Sequence, residues 1–304
     1  MTIERRAFLG GALALGASAC VPIDRTVLGR LDARLRIIEA AGNGTLGAEI
    51  YDTGTGETLG INSNRRFGHC SSFKLSLAAM VLARHASGAI DADKRVTWTE
   101  DQLLSYSPFT RPKLSEGASL RELARATQET SDNTAANILL QELGGPSALT
   151  AFWREIGDPT SRLDRIEPAL NNVPLAEVRD TTTPAAMART VAGLVFGDVL
   201  PEAERATLRQ WMADTSTGLR RVRAGLPEEW RAGDKTGTSF WPGMGSLYVD
   251  IGFVEPPDRA PLTFATYFRA RETHGAIDAA AEATLAKIGD VIVDFAEVDD
   301  GFPF

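Results

Sequence analysis

Histidine and cysteine are scarce in this chain. His69, His85 and His274 stand far apart and form no pair at helical ligand spacing, so the sequence offers no metal centre. The two cysteines are Cys20 and Cys70. Because Cys20 lies in a segment with the layout of an export signal, no intramolecular disulfide is expected, even in a compartment that would permit one. Basic runs are also missing: 32 Lys and Arg face 40 Asp and Glu, with no aromatic-basic interleaving to suit a phosphate backbone, which excludes nucleic acid as a partner. No apolar run reaches the roughly 20 residues of a membrane-spanning helix, and no repeat or low-complexity segment is seen. No cofactor is implied.

What is present is a chain of 304 residues, 43% hydrophobic, enough for one large core or two modest ones. Residues 1–20, MTIERRAFLGGALALGASAC, carry a charged start, an apolar stretch from Ala7 to Ala17 and a small-residue site, the order of an export signal. The Arg5–Arg6 pair resembles a twin-arginine signal. It ends in cleavage near ASA or in lipidation of Cys20, so the expected location is periplasmic or exported, with a membrane contact only if Cys20 is lipidated.

After the signal, RTVLGRLDARLRIIEA has helical spacing, and LGAEIYDTGTGETLGIN reads as a β-hairpin. From about residue 72 to 213 the signals are mostly helical. They are interrupted by a proline-rich, weakly periodic stretch from Asp158 to Pro184 that reads as a long functional loop. Beyond residue 225 the texture turns to β, closed by a helix over Ala276 to Ala296. The expected fold is α/β (α+β): an antiparallel sheet flanked by helices and built from both termini (21–61 and 214–304). An all-helical domain (62–213) is inserted, with an active-site loop at 162–180.

Three short strings carry chemistry. In HCSSFKLSLAAM, Ser71 and Lys74 are three apart and share a helical face. A buried lysine of depressed pKa can activate a serine hydroxyl. Taken alone, the pair fits a helix cap and a solvated lysine equally well. In ETSDNTAANILL, Ser131 and Asn133 can face one side of an extended segment, or Ser131, Asp132 or Asn133 can simply cap a helix. In GDKTGTSF, Lys235, Thr236 and Thr238 surround Gly237 in a strand where glycine permits close approach of a ligand.

SSFK, SDN and KTG in this order resemble the motifs of class A serine β-lactamases and penicillin-binding proteins. RLDRIEPALN resembles the class A loop bearing the deacylating glutamate, here Glu167, and RDTTTP resembles that loop's end. The resemblance covers nearly all of the chain beyond the signal and implies a β-lactamase/transpeptidase-like fold and a monomer. It also implies hydrolysis of the β-lactam amide of penicillin- or cephalosporin-type antibiotics, with resistance as the outcome.

By that resemblance Ser71 is the nucleophile, Lys74 and Ser131 handle protons, and Glu167 with Asn171 holds the hydrolytic water. Either Lys74 or Glu167 acts as acylation base. The N–H groups of Ser71 and Thr238 bind the oxyanion. Lys235, Thr236, Gly237 and Thr238 form the edge that grips the substrate carboxylate, Asn133 takes the side-chain amide, and Tyr106 walls the cleft. Arg165 and Asp180 resemble the ion pair that closes the loop.

The sequence also departs from the family pattern. Many members carry an arginine after KTG where Gly245 stands here, and a smaller set supplies the guanidinium from the position of Arg221. Some of that set join a cysteine beside the nucleophile to one after KTG. Here the second position is Ser239, so Cys70 is expected to be a buried free thiol. Alternative readings are a D,D-peptidase or esterase, which would lack Glu167, and a noncatalytic β-lactam-binding sensor lipoprotein.

Overall fold

The computed structural model describes residues 25–298; the signal-like segment and Cys20 lie outside them. Helix α1 (Arg25–Ala41) leads into β1 (Gly44–Asp52), β2 (Thr58–Ile61) and the short β3 (Phe67–Gly68). A 3-10 turn at Cys70–Ser72 then starts α2 (Phe73–Ala86). There follow β4 (Arg95–Val96), β5 (Ala118–Ser119), α3 (Leu120–Glu129), α4 (Asn133–Leu143) and α5 (Pro146–Glu155). A long loop holding β6 (Thr181–Thr182) leads to α6 (Pro184–Val195) and α7 (Glu202–Ala213). The chain closes with β7 (Arg231–Ser239), β8 (Leu247–Glu255), β9 (Leu262–Ala270) and α8 (Ala279–Val298).

Five strands form one antiparallel sheet in the order β2-β1-β9-β8-β7. The first hairpin joins the last three strands through β1 and β9, in register from Gly44 opposite Ala270 to Asp52 opposite Leu262. Period-2 alternation divides the sheet between two cores. Tyr248, Val254, Phe264 and Phe268 pack with Leu35 of α1 and Leu285, Ile288 and Ile292 of α8. Val249, Ile251, Phe253 and Tyr267 point the other way, into the larger core with α2 and the other inner helices. β8 is therefore buried on both faces and reads as a nearly continuous apolar run.

The fold is thus α/β, an antiparallel sheet flanked by helices. The closing helix starts three residues later than its periodicity predicts because Asp278 caps it, its carboxylate accepting the Ala281 N–H at 2.7 Å. The central region also contains strand pairs the helical texture did not signal: β3 with β6 and β4 with β5, each two residues long. The β3–β6 pair ties the far end of the long loop to the segment just before Ser71.

Candidate active site

Helix α2 is buried at every residue from Phe73 to Leu82, as expected of a helix apolar all round. Lys74 rides on this helix fully enclosed rather than solvated. Its ammonium reaches Ser71 Oγ at 2.9 Å, the Ser131 carbonyl at 2.9 Å and Asn133 Oδ1 at 2.5 Å. Burial pushes the Lys74 pKa down, and the adjacent Glu167 carboxylate opposes that shift. Ser72, also buried, donates its hydroxyl to the His69 carbonyl at 2.8 Å and serves the turn rather than the chemistry.

The turn that presents Ser71 is strained. Cys70 has φ of +46°, a left-handed conformation that costs a non-glycine residue about 1–2 kcal/mol, and such strain collects at functional sites. The Cys70 thiol is buried and free, and burial pushes its pKa up to about 12, which removes it as a rival nucleophile. Strand β7 packs directly on this turn. A Cβ on Gly237 would meet Ser71 N, His69 O and Cys70 Cβ, each at 2.9 Å, so glycine there lets the strand edge approach Ser71.

At the start of α4, Asp132 is the cap. Its carboxylate accepts Ala135 N–H at 2.8 Å and also holds Phe109 N–H, Thr110 N–H and the Thr110 hydroxyl at 2.9–3.0 Å. The Asn133 N–H bonds to the Tyr106 carbonyl at 3.0 Å, and the Tyr106 ring stays exposed. Ser131 is not extended: with φ of +61° it turns its hydroxyl between two lysines, 3.4 Å from Lys74 Nζ and 3.1 Å from Lys235 Nζ. Lys235 is fully buried, and burial, with Lys74 as the next cause, drives its pKa well down.

The long loop delivers Glu167. Asp180, fully buried, accepts the Asp164 and Arg165 N–H groups at 2.7 and 2.9 Å and pairs with Arg165 Nε at 2.5 Å. Asn137 of α4 clamps the Glu167 backbone from both sides, donating to its carbonyl at 2.9 Å and accepting its N–H at 3.0 Å. Glu167 Oε1 lies 3.4 Å from Ser71 Oγ, and Oε2 takes a 2.7 Å bond from Asn171 Nδ2. The segment between them is a 3-10 turn, Ala169–Asn171, after a cis Glu167–Pro168 bond; the two side chains meet without an α-helical turn. Ser239 of β7 donates to the Asn171 carbonyl at 3.0 Å, joining loop to strand.

Arg221 is 2% exposed and lies behind β7 rather than open to the cleft. Its fork donates to the Gly237 and Val249 carbonyls at 2.9 and 2.7 Å and to Thr238 Oγ at 2.6 Å. No side chain fits at Gly245, where a Cβ would sit 1.8 Å from the Ala270 carbonyl. Thr236, which shares a 2.6 Å bond with Thr217, and Thr238 stand on the same strand edge. Asn137 and Thr217 escaped the sequence reading. Asn137 lies one helical turn after Asn133, a spacing that marks it as a neighbour of the site.

A serine hydroxyl held by a buried lysine, beside a carboxylate–amide pair and a cationic strand edge, is an arrangement suited to a serine acyl-transfer hydrolase. Residues 30–296 match the Beta-lactamase enzyme family. β-Lactamase AST-1 of Nocardia asteroides is 39% identical, with 96% of each chain covered. The carbapenem-hydrolyzing β-lactamase KPC of Klebsiella oxytoca is 40% identical over 81% of this chain and 85% of that one. Among solved structures, an ancestral class A β-lactamase superposes with a TM-score of 0.83 at 44% identity, covering 87% of this chain and 99% of the other. The chain belongs to the β-lactamase family and is a class A serine β-lactamase, an enzyme that hydrolyses β-lactams and so confers resistance.

Proposed function

We propose that the residues of this site divide two half-reactions between them. In acylation, Ser71 Oγ forms a bond to the β-lactam carbonyl carbon while Lys74, in its neutral form, takes the hydroxyl proton. The 2.9 Å Lys74–Ser71 contact carries this assignment; Glu167 stands farther from the hydroxyl. The oxyanion lies between the N–H groups of Ser71 and Thr238, and loss of one such donor typically costs about 10²–10³ in rate. As the C–N bond breaks, the leaving nitrogen receives a proton through Ser131, which bridges Lys74 and Lys235.

In deacylation, Glu167 and Asn171 hold a water and Glu167 accepts its proton. The new C–O bond forms, the ester bond breaks and Ser71 recovers its proton. Lys235, Thr236 and Thr238 grip the substrate carboxylate, with Arg221 orienting the Thr238 hydroxyl from behind. Asn133 takes the side-chain amide and Tyr106 walls the cleft. The Glu167–Asn171 pair argues against a D,D-peptidase and against a sensor that keeps its adduct.

Residues 1–20 act as a twin-arginine-like export signal ending in cleavage or in lipidation of Cys20, and the exported protein works as a monomer. Among the described residues no helix is long and apolar enough to cross a membrane. In this reading the chain divides into 21–61 with 214–304 and an inserted 62–213, and the cleft lies at their junction. The test is turnover of a chromogenic cephalosporin by the purified enzyme. Many turnovers per active site are expected; a stoichiometric burst that stops would refute hydrolysis.

A further inference from the structure

Where β1 begins and β9 ends, a cavity of about 460 Å³ opens between the long loop and the β7–β8 turn, within the usual range of small-ligand sites. Pro174 and Leu175 wall it on the loop side and Met244 on the turn side, and three arginines line it: Arg65, Arg269 and Arg271. No lining residue is a carboxylate. Two partly buried arginines elsewhere in this acidic protein are neutralised, Arg165 by Asp180 and Arg223 by Asp234. Among the described residues, the Arg65 and Arg271 side chains make no ion pair or hydrogen bond. Arg269 is partly buried, with Nη2 on the Val173 carbonyl at 3.0 Å. Burial pushes its pKa down, Cys70 opposes the shift, and the charge of Arg65 adds to it. Three guanidinium groups lining one cavity that has no carboxylate in its wall offer donors of the kind that match a tetrahedral oxyanion.

We infer that this cavity binds a small multivalent oxyanion of the phosphate class, held by Arg65, Arg269 and Arg271. The site is separate from the catalytic cleft but shares a wall with it. Arg269 holds Val173, two residues beyond Asn171, so a bound anion fixes the loop segment that follows the Glu167–Asn171 pair.

The test titrates inorganic phosphate into the purified full-length protein, against chloride at matched ionic strength. At about 10 mM phosphate the melting temperature rises by about 2 °C or more over chloride, and amide exchange slows at residues 172–176. The exposed pair Arg65→Gln and Arg271→Gln together weakens phosphate binding about tenfold or more, with melting in chloride and cephalosporin turnover unchanged. Equal melting in the two salts, or unchanged phosphate affinity in the double variant, would overturn the inference. So would sedimentation with phosphatidylglycerol vesicles in the absence of any response to inorganic phosphate, which would make the patch a lipid contact.

Discussion

The Lys74 ammonium nitrogen lies 3.2 Å from Glu167 Oε1, and neither side chain is more than 1% exposed. Burial favours the neutral amine while the carboxylate favours the ammonium, so the state of Lys74 is a balance that a substitution at Glu167 must tip. In Glu167→Gln the opposing charge is gone and the Lys74 pKa falls further. If neutral Lys74 is the acylation base, the acidic limb of the acylation rate moves to lower pH. Stopped-flow acylation across pH reads this, and a variant that no longer acylates would instead make Glu167 the base.

Separate half-reactions predict separate lesions. Glu167→Ala retains the nucleophile and accumulates an acyl-enzyme on Ser71, visible as a persistent mass increase after exposure to a penicillin. Ser71→Ala forms no adduct. Equal loss of acylation in both would remove the division of labour argued here.

The role proposed for Arg221 runs through Thr238, whose hydroxyl accepts its 2.6 Å bond. Arg221→Ala frees the Thr238 hydroxyl and leaves two strand carbonyls without their donor, so KM rises by about 10- to 100-fold, the worth of a charge-assisted hydrogen bond. kcat changes less. Arg221→Lys rescues little, because an ammonium cannot span the fork that reaches Gly237, Val249 and Thr238. The penalty shrinks for a β-lactam whose carboxylate is esterified; an equal penalty for acid and ester would make the role purely structural.

Much of this site was legible because its geometry is local. Ser71 and Lys74 need only one helical turn to meet, and the alternation of β7 suffices to put Lys235 on an edge. The parts that stayed hidden are long-range or conformational. Nothing in SDN announces a positive φ at Ser131, or that Asp132 would staple Phe109 and Thr110 while capping α4. Asn137 meets Glu167 across 30 residues, a contact made by tertiary packing alone. The motif position of Arg221 could be assigned, but its enclosure behind β7 depends on the carbonyls of two strands.

Asp180 holds the loop in place. It is fully buried and receives two backbone N–H groups and the half-buried Arg165 guanidinium, so Asp180→Ala leaves those donors without their acceptor. Removing an acceptor in this way typically costs about 1–3 kcal/mol. Because the loop carries Glu167, deacylation should slow more than acylation, and burst amplitudes should approach one acyl group per enzyme. A variant that unfolds earlier but keeps the wild-type ratio of the two rates would detach the ion pair from catalysis.

His69 predicts an acid sensitivity independent of the carboxylates. Its ring is buried and stacks on Trp153 at 4.9 Å and 5°, with the backbone of Thr181 and Arg162 nearest its nitrogens. Burial lowers its pKa to about 4, with the Asp158 charge opposing. The unfolded chain takes up a proton on this residue below a pH of about 6.5, whereas the folded protein refuses it until about 4. Falling pH therefore favours the unfolded state across that window, by about 3 kcal/mol once both are protonated. His69→Phe keeps an aromatic ring against Trp153 and carries no titratable group, so it should be spared this loss. Urea unfolding at pH values of about 7 and 4.5 measures the effect: wild type should lose roughly 2–3 kcal/mol more than the variant between them. Identical losses would mean that His69 is protonated in the folded protein, with a charge accommodated beside Trp153.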